Sequence, residues 1–339
     1  MATIRDVAKL AGVSTATVSR VLNEQGGVNS ETKQKVLDAI KKLNYKPNTI
    51  AKNFRQNKTD TIIVVIPDIT NTFFSKILLG MQDVANANGY NVLLCNTNND
   101  VEKELEYIRF TERRGADGII FLTARVNYTN ILELTKTCPV VVACEYIDNL
   151  DIPTVSINNF KAAYEATEYL IKLGHKKIAY INGPKGIVLS RDRLRGYKAA
   201  LERYGIEIDE KLIFEGDFYY ESGYKHAKQI LENEATAVFT ASDDMAAGFI
   251  RYCIDNNIKV PEEVSVVGFD NIKLASIIKP ELTTIAQPMY EIGTTAMDML
   301  IKLIKGEEVE KRNIVLEHQL IVRESCMPYE KSCVKSKGY

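Results

Sequence analysis

Apolar residues near the start of the chain recur at the spacing of helices. Ile4, Val7, Ala8 and Ala11 fall on one face of a short segment that Thr3 can cap and Gly12 can close. Ser14 caps a second segment, in which Val18, Val21 and Leu22 turn inward while Thr15, Ala16, Thr17, Ser19 and Arg20 turn outward. A third amphipathic helix begins at Asn29 to Thr32 and buries Val36, Ile40 and Leu43. The three helices close a small core of about 45 residues, a size at which folding is marginal. Two short helices joined by a glycine turn have the form of a helix-turn-helix, whose second helix enters the major groove. Small hydroxyl side chains there suit base edges and phosphates, and Arg20 suits a guanine or a phosphate. On periodicity alone, a helical hairpin with a polar outer face competes with this reading.

From Thr61 the pattern changes to short apolar runs alternating with amphipathic stretches. Ile62 to Pro67, Val92 to Cys95 and Gly118 to Leu122 read as strands, and Phe73 to Asn88 and Leu105 to Arg114 as helices. A second series has strands at Ile178 to Ile181, Ala237 to Thr240 and Val264 to Phe269, with helices at Arg191 to Tyr204, Glu221 to Asn233 and Asp244 to Asn256. This rhythm predicts two α/β lobes built on parallel sheets, with ligands bound beyond the carboxyl ends of the strands.

Charge sharpens the division. Residues 1–60 hold eleven Lys/Arg against five Asp/Glu, a balance of +6, so within a total of −1 the rest of the 339-residue chain carries −7. A basic head on an acidic body points to a polyanionic partner for the head alone, a solvated helical face being the plainer alternative. The six cysteines include no CxxC pair and three histidines complete the list, so no metal and no cofactor is expected. Met1 to Asp6 lack a signal peptide's apolar region and no run reaches membrane-spanning length, which predicts a cytoplasmic protein with free thiols and no membrane partner. Neither a P-loop nor a dinucleotide fingerprint follows a strand, and no catalytic triad is readable, so an enzyme is disfavoured.

The residues from Ile4 through Leu22 resemble the N-terminal signature of the LacI/GalR family of bacterial repressors, and Tyr45 to Phe54 are similar to its hinge segment. The likeness continues through Gly174 to Ile181, Arg193 to Tyr197, Pro261 to Asn271 and Leu282 to Pro288, covering Ala2 to about Ser325. It implies a small all-α helix-turn-helix head (1–46), a hinge helix and linker (47–60) and a two-lobed, periplasmic-binding-protein-like body (61–326). Lobe 1 is expected at about 61–157 and 287–320, lobe 2 at about 158–284 and 321–326, and a polar tail at 327–339. It further implies a homodimer on double-stranded operator DNA, contacted by Thr15, Ala16, Thr17, Ser19, Arg20, Asn29, Thr32, Tyr45, Asn48, Ala51, Lys52, Phe54 and Arg55. Phe54 stands where the family carries a leucine that wedges into the minor groove, a role open to phenylalanine.

For the body the resemblance implies an effector held by Phe73, Phe74, Arg193, Phe218 and Asp270. Aromatic faces for stacking beside an Arg and an Asp suit a planar or ring-shaped polar molecule, and core packing is the competing reading of the three phenylalanines. Ala143 to Tyr146, Leu150 to Val155, Gly216 to Phe218, Thr283 to Pro288 and Tyr290 to Gly293 resemble a cytidine-responsive branch of the family, which implies a nucleoside. A sugar, a sugar phosphate or a protein corepressor is the alternative within the class. A solute-binding receptor, or an enzyme with an appended regulatory head, is the alternative outside it.

Overall fold

The computed structural model describes residues 2–22, 27–45 and 58–329. It divides into two units, Met1–Thr59 and Asp60–Tyr339.

In the head, α1 (Ile4–Ala11) starts at a reciprocal cap. The Asp6 N–H donates to the Thr3 hydroxyl at 3.4 Å and the Thr3 N–H to the Asp6 carboxylate at 2.8 Å. Gly12 ends it in the left-handed region at φ +66°. Helix α2 (Thr15–Leu22) is capped by Ser14, whose Oγ accepts from the Thr17 N–H at 3.1 Å. Helix α3 (Ser30–Lys42) is capped by Asn29, whose Oδ1 accepts from the Thr32 N–H at 2.8 Å. Val7, Ala8, Val18, Val21, Val36 and Ala39 form the core. Ile40 and Leu43, expected on the buried stripe, are half-buried and pack against this core from its edge.

The body contains two six-stranded sheets. The first holds β1 (Thr61–Ile66), β2 (Asn91–Asn96), β3 (Gly118–Phe121), β4 (Val140–Ala143), β5 (Thr154–Ile157) and β11 (Asn313–Leu316), in the order β11-β5-β4-β3-β1-β2, all parallel. The second holds β6 (Ile178–Asn182), β7 (Ile213–Glu215), β8 (Ala237–Thr240), β9 (Ser265–Asp270), β10 (Thr283–Ala286) and β12 (Gln319–Ile321), in the order β12-β10-β9-β8-β6-β7. With no crossover helix before it, β12 runs on from β11 and meets β10 antiparallel. The pairing of Leu320 with Ile285 and Gln319 with Ala286 puts both residues in the second sheet, so the last passage between lobes falls before Gln319, earlier than the expected position after residue 320.

Helices α4 (Phe73–Ala87), α5 (Val101–Phe110), α6 (Tyr128–Thr135) and α11 (Met289–Lys305) accompany the first sheet. Helices α7 (Asn159–Lys172), α8 (Val188–Arg203), α9 (Tyr220–Glu232) and α10 (Asp243–Asp255) accompany the second. The helix expected to run to Arg114 ends as α5 at Phe110 and continues in one wide turn, where Arg114 sits at φ +62°. The chain stays on the second lobe through Tyr329, whose N–H donates to the Leu173 carbonyl at 2.7 Å, so the expected tail is partly docked. Among the described residues no helix is long and apolar enough to cross a membrane, and Cys95, Cys138, Cys144, Cys253 and Cys326 are free thiols.

In the second lobe, α9 and α10 approach to backbone contact. A Cβ on Gly248 of α10 would collide with the Tyr220 carbonyl, and one on Gly223 of α9 with the Met245 carbonyl. Because backbone cannot yield as a side-chain tip can, Gly248→Ala is expected to destabilise the protein by about 1–3 kcal/mol, read as a lower urea midpoint. An unchanged midpoint would show that the two helices separate freely.

Candidate functional site

A cavity of about 430 Å³ lies between the lobes at the carboxyl ends of their strands. All five effector positions expected from the sequence line it: Phe73 and Phe74 from the start of α4, Arg193 from α8, Phe218 after β7, and Asp270 at the end of β9. The two adjacent rings meet edge to face at 5.1 Å, with Phe73 half-buried and Phe74 buried in the main core, so Phe74 serves packing while also reaching the wall.

Arg193 is the buried cation of the site. Its Nε donates to Asn159 Oδ1 at 2.8 Å, one terminal nitrogen donates to the Ala241 carbonyl at 2.6 Å, and its guanidinium lies 3.7 Å from the Phe269 ring centroid. Asp270 accepts from Gln287 Nε2 at 2.7 Å. Burial pushes the Asp270 carboxyl up to about 7 against the opposing pull of Arg193. Asp243 sits behind it, held by the Thr284 hydroxyl at 2.5 Å and the Ile272 N–H at 2.8 Å, and burial with Asp270 nearby keeps it well above the ordinary carboxylate range.

Between the ordinary carboxylate range and about pH 7 the folded chain keeps a proton on Asp270 that the unfolded chain has released, so this group's contribution to stability declines as pH rises through that window. The melting temperature of the ligand-free protein should therefore fall less from about pH 5 to about pH 7.5 in Asp270→Asn than in the unaltered chain. Parallel curves would count against the buried acid.

Phe218 is held at φ +73°, a region non-glycine residues rarely occupy, with its carbonyl accepting from the Ser242 hydroxyl at 2.9 Å. Its ring fills the space a side chain would take at Gly183. Two sets of contacts tie the lobes on either side of the cleft. Tyr219 Oη donates to Asp68 at 2.9 Å, and elsewhere Arg191 grips Asp148 through two nitrogens while Tyr146 Oη donates to Asp192 at 2.7 Å. These contacts, together with Asn159, Gln287 and Thr123, carry no signal in the sequence, because single polar residues on loops and in the first turns of helices have no characteristic spacing.

In the head, Thr15, Ala16 and Arg20 are exposed on α2, and Thr17 and Ser19 are half-buried beside them. Asn29 spends its side-chain oxygen on the α3 cap, Thr32 is half-buried, and Tyr45 packs against the head core. Asn48, Ala51, Lys52, Phe54 and Arg55 lie outside the described residues.

Residues 3–48 match the bacterial regulatory proteins of the lacI family, and residues 59–324 match the periplasmic binding proteins and sugar binding domain of LacI family. The chain belongs to the LacI family. It is 44% identical over 327 residues to the HTH-type transcriptional regulator RegA of Clostridium saccharobutylicum, covering 95% of this chain and 98% of the relative. It is 40% identical over 327 residues to the HTH-type transcriptional repressor CytR of Escherichia coli K12, covering 96% of each. Its fold is similar to that of the lac repressor dimer bound to operator and the anti-inducer ONPF, with a TM-score of 0.87, 29% identity, and coverage of 96% of this chain and 99% of that one. This LacI-family protein is thus a DNA-binding transcriptional regulator with an effector-binding domain, and its matched families and relatives are regulators, not enzymes.

Proposed function

We propose that this LacI-family regulator is a homodimeric repressor whose hold on operator DNA is set by a nucleoside closed between its lobes. The reading rests on one observation above the rest: a buried Arg193 and Asp270 face a cleft that also presents Phe73 and Phe218. Vicinal hydroxyls of a ribose match the arginine and carboxylate, and a flat base matches the rings. A sugar alone is the second reading, favoured by the family's description as a sugar binding domain.

Two heads read half-sites of a pseudo-palindrome about one helical turn apart, with Lys52 and Arg55 of each hinge on phosphates. The effector acts through the lobes: a ligand that prefers one lobe arrangement shifts the population toward it and changes the grip on DNA. The rim contacts Tyr219–Asp68 and Arg191–Asp148 are the bonds such a change would make or break.

A thermal-shift screen of the full chain against nucleosides, pentoses, hexoses and their phosphates tests the reading, because a ligand that binds only the native state raises the melting temperature. Stabilisation by nucleosides supports it. Stabilisation by sugars, with nucleosides silent, replaces the effector named here.

A further inference from the structure

Asp270 and Asn271 stand side by side in backbone of positive φ, at +114° and +58°. Asparagine enters the left-handed region more readily than most residues, but +114° lies beyond even that region. So costly a conformation persists only where its surroundings hold it, and here it falls on a residue that lines the cleft. Three side chains hold the turn. Gln287 Nε2 donates to the Asp270 carboxylate at 2.7 Å, Asp243 accepts from the Ile272 N–H at 2.8 Å, and Asn271 Oδ1 accepts from a terminal nitrogen of Arg323 at 2.7 Å.

The last of these comes from the most distant stretch of chain. Arg323 follows β12 by two residues and is half-buried. Its other terminal nitrogen donates to the Leu282 carbonyl at 2.6 Å, and its own N–H donates to Thr283 Oγ1 at 2.9 Å. The guanidinium therefore bridges the entry to β10 and the turn after β9, with both bonds on neutral oxygens. A planar fork suits that task, since it holds two acceptors in fixed directions at once. Neither Arg323 nor Asn271 lines the cleft, so they reach a bound molecule only through Asp270.

We infer that Arg323 is a positioning residue for effector binding: through Asn271 it locks the strained turn that sets the Asp270 carboxylate in the cleft. The inference rests on the effector reading above and adds to it a residue that does not touch the ligand. Without the tether the turn relaxes toward commoner backbone angles, and the carboxylate leaves the place where Gln287 and the effector meet it. A brace that merely joined β9 to β10 would support the fold and leave the affinity of the folded protein for its ligand unchanged.

The test is calorimetric titration of the full chain with cytidine and with ribose, in the unaltered protein, Arg323→Lys, Asn271→Gly and the double variant, with the melting temperature of each measured alongside. Glycine takes φ +58° freely, so Asn271→Gly removes the acceptor without forcing the backbone. Arg323→Lys keeps the charge and loses the fork. Each single change should weaken binding of the probe that the unaltered protein takes up by tenfold or more. The double variant should bind no more weakly than the worse single one, because both changes remove the same contact. Unchanged affinity in Asn271→Gly, or losses that multiply in the double variant, overturns the inference while the effector reading stands. A lowered melting temperature with affinity retained assigns Arg323 to the scaffold and likewise overturns it. Binding of neither probe to the unaltered protein, with no stabilisation in the wider screen, removes the effector reading and this inference together.

Discussion

Replacing Arg193 by Ala is expected to abolish the response of operator binding to effector and to lower the stability of the free protein by about 3–5 kcal/mol. The guanidinium is buried, tied to Asn159 and the Ala241 carbonyl, and stacked on Phe269. It is also the cation that opposes the upward push of burial on Asp270. Its loss leaves a buried acid without its charge partner and a void under the cleft. Arg193→Lys should not restore the response, because a point charge cannot reproduce a planar fork that bonds in two directions while lying on a ring. Urea unfolding measures the stability change, and operator anisotropy with and without nucleoside measures the response. An Arg193→Ala protein that answers the effector normally would remove the residue from the site.

Arg20→Ala is expected to weaken operator binding by about 1–3 kcal/mol per head. A two-headed complex loses the contact twice, so the affinity should drop by roughly two orders of magnitude or more. The head itself should fold unchanged, since Arg20 is exposed and the core is built from Val7, Val18, Val21 and Val36. A fall confined to one base position, with relaxed specificity there, assigns a base-edge contact. A uniform fall with a salt dependence reduced by about one ion per contact assigns a phosphate. Unchanged affinity would place the reading face elsewhere on the head.

Much of this was legible in the sequence because it depends on local chemistry. Thr3, Ser14 and Asn29 cap three helices and Gly12 adopts the left-handed turn, as residue type and spacing required. The apolar runs from Ile62 onward became parallel strands, and that arrangement carries Phe73, Phe74, Arg193, Phe218 and Asp270 to one cavity from four separate stretches of chain.

What escaped depends on non-local contact. Helix α7 buries Ala162, Ala163 and Ala166, residues too small to stand out by hydropathy. The passage into β12 is fixed by its pairing with β10, which the intervening chain does not encode. The strained turn at Asp270 and the Arg323 side chain that braces it become visible only in the folded chain.

Control through the cleft is tested by measuring the affinity of the full chain for its operator, selected from random duplexes, with and without a nucleoside that raises the melting temperature, in the unaltered protein and in Asp270→Asn. A ligand-dependent change of about tenfold or more is expected in the unaltered protein, and an Asp270→Asn protein should bind the operator equally well but no longer respond. An unaltered protein whose operator affinity ignores every ligand that stabilises it, or an Asp270→Asn protein that responds in full, would contradict control through the cleft.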